Sequence, residues 1–171
     1  MRAERERRTE IEDIERELML LRRHATMGTF RKFYSGDRLE RSAYIVLSRI
    51  ESEGPMSIGE LADAFCLDTS TLNRQTAAML RTRLLERIPD PEGGVARKLR
   101  ITAEGERRLR GDREAMLDCL GATLEGWTRE ELAAFAAALV RYNTTVERAE
   151  DRPWPRPDAA EAPEASRGRP A

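Results

Sequence analysis

Two cysteines, one histidine and an aromatic share of 5% in 171 residues leave this chain little to do chemistry with. Cys66 and Cys119 fall on the apolar faces of different predicted helices, so they read as buried thiols rather than as a disulfide or a redox switch. His24 has no acidic or cysteine neighbour in register, which favours packing or surface over metal binding or catalysis. There is no Gly-rich phosphate loop, no paired histidine and no nucleophile with a visible base. The carboxylates lie on helical faces where solvation is the default explanation. An enzyme is therefore not expected, nor a metal site, nor a cofactor. No apolar run approaches the ~20 residues that a membrane-spanning helix needs, and the charged N-terminus lacks the apolar core of a secretion signal. A cytoplasmic protein is the expectation.

What is present, 40% hydrophobic and 36% charged residues, fits a helical protein with large solvated faces. The length suits one domain by the usual ~100–200 residues per domain. Of 30 basic residues only Lys32 and Lys98 are lysines. Arginine suits bidentate contact with guanine or phosphate, although coding bias in a G+C-rich genome explains the excess equally well.

The chain is organised around Met56 to Arg87, which reads as two short helices, a tight turn between them and a strand after them. Ser57 caps the first helix with Glu60 three residues on, a capping box, and Ile58, Leu61, Ala62 and Phe65 form its apolar stripe. Asp68 or Thr69 caps the second, whose inward side is Leu72, Thr76, Met79 and Leu80. Ser70, Arg74, Ala77 and Arg81 stack on the opposite face, flanked by Thr71, Asn73 and Gln75. Such a face offers hydroxyls and backbone N–H groups to phosphates, and amides and a guanidinium to base edges. A helix about 10–12 Å wide fits the major groove of B-DNA. A plain solvated helix face would look similar, but the helix-turn-helix setting favours DNA.

Leu84 to Pro89 reads as a strand, DPEGG as a turn, and Ala96 to Thr102 as the returning strand, together a β-hairpin wing. Between Ser70 and Arg100 there are seven basic residues and three acidic ones, a local +4 in a chain of net charge −1. The even overall balance hides a basic stripe.

At these residues the chain resembles the MarR family of winged-helix transcription regulators. The resemblance covers roughly Glu17 to Thr145 and rests on SIGELADAF before the turn, TSTLNRQTAAML on the recognition helix, LLERIPDPE entering the wing and RKLRITAEGERRL leaving it. It implies a homodimer that places two recognition helices in adjacent major grooves of a pseudo-palindrome, with DNA affinity often lowered by a small ligand. The family commonly carries an Asp and, two residues later, an Arg at the wing tip, the Arg entering the minor groove. Gly93 and Val95 stand at those positions here, so Arg97 and Lys98 are the expected substitutes, or the wing touches phosphates alone. Arg83 stands where the family often has a Gly after the recognition helix; it either tolerates a left-handed cap or lets the helix end differently.

Upstream, Arg2 to Arg23 is dense in alternating charge, with Ile11, Ile14, Leu18 and Leu21 on one face, and reads as a long first helix whose seam the resemblance assigns to a second subunit. Phe30, Phe33 and Tyr34 follow, as packing aromatics or as ligand-pocket lining, before the breaker Ser35-Gly36-Asp37. Leu39 to Ile50 forms the next helix, with Ala43, Val46, Leu47 and Ile50 inward. Beyond the wing, Thr102-Ala-Glu-Gly starts a helix carrying Leu109, Met116, Leu117, Leu120 and Leu124; Thr128-Arg-Glu-Glu starts a last one with Leu132, Phe135, Ala136, Leu139 and Val140. Both are apolar on one face, as an obligate interface of ~2,000 Å² or more requires. From Glu150 the chain is Pro- and Ala-rich and reads as a disordered tail with Trp154 its one anchor.

The expectation is a mainly α fold with a small β-wing: residues 1–36 a dimerisation helix, 37–108 the winged helix-turn-helix lobe, 109–149 further dimerisation helices and 150–171 a tail. The expected function is sequence-specific regulation of transcription, as a repressor, by a homodimer on double-stranded DNA, with a small-molecule effector. Such a ligand would sit between dimer helices and DNA-binding lobes and change the distance between reading heads. The residues assigned to DNA are Thr69, Ser70, Thr71, Asn73, Arg74, Gln75, Arg81, Arg97 and Lys98. The alternative is a winged helix that binds protein, which should carry apolar anchors at positions such as Arg74 and Ala77.

Overall fold

In the computed structural model, which describes residues 1–27 and 38–156, the elements run α1 (Arg2–Met27), α2 (Arg41–Glu53), β1 (Met56–Ser57), α3 (Ile58–Phe65), α4 (Thr69–Arg81), β2 (Leu85–Ile88), β3 (Lys98–Ile101), α5 (Ala103–Thr123) and α6 (Arg129–Ala149). The chain divides into one unit of Met1–Arg38 with Gly111–Gly126, and a second of Leu39–Arg110 with everything from Trp127 onward. Phe30, Phe33, Tyr34 and the Ser35–Asp37 breaker lie outside the described residues.

In the first unit, α1 is laced along its surface by Arg2–Glu6, Arg8–Glu12 and Asp13–Arg16 ion pairs. Exposed pairs of this kind support a helix by only ~0.3–0.5 kcal/mol each. The seam residues Ile11, Ile14 and Leu21 are about half exposed in the single chain. In the Gly111–Thr123 part of α5, Cys119 is buried, and its carbonyl accepts the Thr123 hydroxyl at 2.8 Å.

The second unit is built on a core of Val46, Leu47 and Ile50 from α2, Leu61 from α3, Leu72 and Met79 from α4, Leu84 and Leu85 entering the wing, Leu99 from β3 and Leu109 from α5. The inward positions that the 3.6-residue period selects on α2, α3 and α4 supply most of it. The sheet is antiparallel in the order β1-β3-β2, with Met56 opposite Leu99 and Glu86 opposite Arg100. The two wing strands are shorter than the sequence suggested. β1 was not foreseen; two residues are too few to show an alternation.

Among the described residues, three helices close with a left-handed residue that is not glycine: Cys66 after α3, Arg83 after α4 and Asp151 after α6. Each closure repeats one bond pattern. The N–H beyond the left-handed residue reaches back to the final turn, as Leu67 to the Ala62 carbonyl at 3.0 Å, Leu84 to Met79 at 2.9 Å and Arg152 to Glu147 at 2.8 Å. This is the Schellman closure, and it resolves the question posed by Arg83 in favour of the left-handed cap.

The same geometry corrects the reading of Cys66. It caps α3 instead of extending its apolar stripe, so it is exposed, not buried; Cys119 is buried as expected. Arg49 departs from the pattern in the other direction, being 8% exposed on the inward side of α2. Its guanidinium donates to both Glu53 carboxylate oxygens and to the Pro153 carbonyl at 3.1 Å, and lies 5.2 Å from the centre of the Trp154 ring. The segment expected to be tail from Glu150 thus begins as a packed strap over residues 151–156. Glu147 secures it, accepting from the Trp154 backbone N–H and from the Arg156 guanidinium. Arg156 in turn holds the Glu147 carboxyl below the usual carboxylate range.

Candidate nucleic-acid interface

The two ends of α3 and α4 are fixed before any side chain is presented. Ser57 accepts the Glu60 backbone N–H at 3.2 Å, and Glu60 accepts the Ser57 N–H at 2.6 Å, so the expected capping box is in place. That backbone bond, opposed in part by burial and helped by the Ser57 hydroxyl and Lys98, holds the Glu60 carboxyl below its usual value. Asp68 takes the N-cap of α4 through its backbone carbonyl, which accepts from Thr71 and Leu72, with no side-chain cap bond. Thr76 is fully buried, and its hydroxyl is satisfied by the Leu72 carbonyl at 2.7 Å, so the inward side of α4 leaves no unpaired polar group there.

With Leu72, Thr76 and Met79 facing the core, the outward face of α4 follows. Thr69, Ser70, Asn73, Arg74 and Arg81 are exposed, while Thr71, Gln75 and Ala77 are half-buried at its margins. Thr69 and Ser70 sit on the first turn, where N–H groups and the helix dipole favour a phosphate. Arg74 stands one turn in, with the donor fork that reads guanine O6 and N7. The short side chain of Ala77 keeps that margin of the face shallow.

The wing is shaped by its turn. Asp90 accepts the Glu92 N–H through its carboxylate and the Gly93 N–H through its carbonyl, both at 3.0 Å. Gly93 adopts φ +83, a conformation that glycine takes without strain. Val95 is fully exposed beyond the turn and Arg97 is exposed after it. Glu86 and Arg100, directly opposed across β2 and β3, pair at 2.8 Å.

Of the nine residues assigned to DNA from sequence, eight are thus exposed or half-exposed on α4 or the wing. Lys98 differs. Its side chain is 13% exposed, and its ammonium lies 3.4 Å from Glu60 and 3.5 Å from Asp90. Arg83 and Arg87 are exposed and add to the basic stripe; only the local charge count could have flagged them. Among the described residues no group of three His, Cys, Asp or Glu side chains is arranged to hold a metal ion, and no helix is long and apolar enough to cross a membrane.

A model of the MarR family matches residues 39–93, from α2 to the wing turn. The uncharacterised HTH-type transcriptional regulator YxaD of Bacillus subtilis is 37% identical over 105 residues, 61% of this chain and 73% of that protein. The chain belongs to the MarR family. A MarR family protein from Bacillus stearothermophilus has the same fold, with a TM-score of 0.65 and 24% identity over 79% of this chain and 96% of the other. So does the PcaV transcriptional regulator from Streptomyces coelicolor, solved in complex with its natural ligand, with a TM-score of 0.56 and 22% identity over 75% of this chain and 92% of the other. As a MarR-family transcriptional regulator with a helix-turn-helix, this chain binds DNA, and α4, the second helix of that motif, presents a polar, cationic face to solvent.

Proposed function

We propose that this MarR-family regulator is a homodimeric repressor that binds a pseudo-palindromic operator and is released by a small-molecule effector. The outward face of α4 carries the reading, because it is exposed, polar and cationic where a protein-binding version needs apolar anchors. Thr69, Ser70 and Thr71 grip phosphates at the start of α4; Asn73, Arg74 and Gln75 read base edges; Arg81 and Arg97 neutralise flanking backbone.

Dimerisation is supported by apolar side chains that the single chain leaves in water. On α6, Leu132, Phe135, Leu139, Tyr142 and Val146 recur at helical spacing and are each about two-fifths exposed; on α1, Ile11, Ile14 and Leu21 are about half exposed. A second copy would cover both. Two copies would set the recognition helices about one DNA turn apart, roughly 34–36 Å, and an effector acts by changing that spacing. Effector control is supported by the ligand complex of PcaV.

The test is fluorescence anisotropy of the purified protein on DNA from its own upstream region, titrated across salt beside a scrambled duplex, with sedimentation to give the stoichiometry. Preference of about 10³-fold or more for the upstream DNA, a steep negative slope in log salt and two chains per duplex are expected. Binding absent even at low salt would refute the proposal and favour a protein partner.

A further inference from the structure

Lys98 is the one residue of the basic stripe whose charge is turned inward. It lies on β3, with its backbone opposite Ser57 of β1 on one side and Ile88 of β2 on the other. Its ammonium joins two carboxylates that belong to different parts of the lobe. Glu60 is the capping-box acid at the start of α3, already fixed by the Ser57 N–H. Asp90 is the acid of the wing turn, 12% exposed and already fixed by the Glu92 N–H. Neither partner is loose, so the cation bridges two anchored points.

The sequence makes room for this bridge. A Cβ on Gly94 would collide with the Asp90 carboxylate, so glycine at that position lets Asp90 lie inside the turn and face Lys98. Burial works against the charged amine, and the two acids outweigh it, leaving Lys98 more firmly protonated than a free lysine. A lysine held between two acids carries no net positive charge to a phosphate. Its effect is on shape: it ties the turn that leads into Val95 and Arg97 to α3, the helix packed against α4.

We infer that Lys98 is a positioning residue, a clip between Glu60 and Asp90 that fixes the angle of the wing to the helix-turn-helix and so aims Arg97 at the DNA flank. The inference rests on the DNA-binding reading of the wing, and it reverses the role that charge alone would give this lysine. It also makes a prediction of opposite sign to simple electrostatics. Asp90→Asn keeps the acceptor for the Glu92 N–H and removes a negative charge from the wing. If Lys98 touched phosphate, the change would free it and tighten binding.

The experiment uses the full chain, a duplex that the wild type selects from a random-sequence pool, and three variants: Asp90→Asn, Lys98→Met and Lys98→Arg. The clip predicts that Asp90→Asn and Lys98→Met each weaken binding about three- to thirty-fold, that the double variant is no weaker than either single one, and that Lys98→Arg restores most of the loss. Hydrogen exchange without DNA should show lost protection over residues 86–101 in Asp90→Asn and Lys98→Met. Tighter binding by Asp90→Asn would overturn the inference, as would unchanged wing protection in both variants. A wild type that selects no duplex, while the variants still lose wing protection, would refute the DNA reading and uphold the clip.

Discussion

The indole of Trp154 lies 6.2 Å from the ring of Phe65, centroid to centroid, with the two planes inclined at 40°. One ring comes from the strap after α6 and the other from the end of α3, and the Arg49 guanidinium sits over the same indole. Trp154 therefore holds α2, α3 and the strap in one cluster. Trp154→Ala should destabilise the lobe by about 1–3 kcal/mol, the sum of an aromatic pair, a cation–π contact and the packing lost with them. Urea unfolding measures this; a wild-type midpoint in the variant would show that the strap carries no stability.

Most of what the sequence made legible lies between Met56 and Ile101, because there the signals are local. Ser57 and Glu60 are three residues apart and make their own cap, and Leu72, Thr76 and Met79 share a face on period alone. What escaped depends on distant partners. Arg49 is buried because Pro153 and Trp154 come back to it, 104 residues later in the case of Pro153, and nothing near Arg49 announces that. Lys98 looked like one more cation of the stripe; only the fold places Glu60 and Asp90 around it. Cys66 failed for the opposite reason, since a period was extended one residue past the end of α3, onto the residue where the backbone turns left-handed.

Arg74 is exposed on the outward face of α4, the face proposed to read base edges. Arg74→Ala should cost about 1–3 kcal/mol of operator affinity and relax the preference at one base pair in each half-site. Binding of scrambled DNA should fall much less. Competition assays against single-base operator variants separate these effects, and a variant that binds operator as tightly as wild type would remove Arg74 from the base-reading set.

Arg83 holds φ 57 in the closure of α4. An L side chain there brings its Cβ against a carbonyl, at a cost of roughly 1–2 kcal/mol, while glycine avoids the clash and loses about 0.5–1 kcal/mol in chain entropy. Arg83→Gly should therefore stabilise the lobe by up to about 1.5 kcal/mol net. The same change removes an exposed cation from the basic stripe. A higher melting temperature together with weaker DNA binding is the expected pairing, and it would show that the strained arginine is kept for its charge.

Glu104, on the first turn of α5, pairs with Arg107 and Arg108, which bring its carboxyl from the usual 4.5 down to about 2. A carboxyl depressed in the folded state contributes stability that is complete above the unfolded value and lost as pH falls through the folded one. The gap in melting temperature between wild type and Glu104→Gln should be constant above pH 4.5 and close as pH drops towards about 2. Because the pair is partly exposed, added salt should narrow the gap at any pH. An NMR titration of Glu104 with an ordinary midpoint would contradict the pairing.

Gly105 is buried on α5 where the helix start meets the closure of α4. The Thr102 hydroxyl accepts the Gly105 N–H at 3.0 Å and donates to the Arg83 carbonyl at 2.6 Å, while the Thr102 N–H reaches the Leu84 carbonyl at 3.1 Å. This knot draws α5 so close that a Cβ on Gly105 would overlap the Leu84 carbonyl oxygen and crowd Ile101. A backbone oxygen cannot swing aside as a side chain can, so relief must come from moving the whole helix start. Alanine normally improves a helix by about 0.5–1 kcal/mol over glycine. Here the overlap should win, and Gly105→Ala should destabilise the lobe by about 1–3 kcal/mol, as overpacking does. Chemical denaturation measures the sign. A stabilised variant would mean that α5 can shift at its start without loss, and that the knot at Thr102 does not fix where the helix leaves the wing.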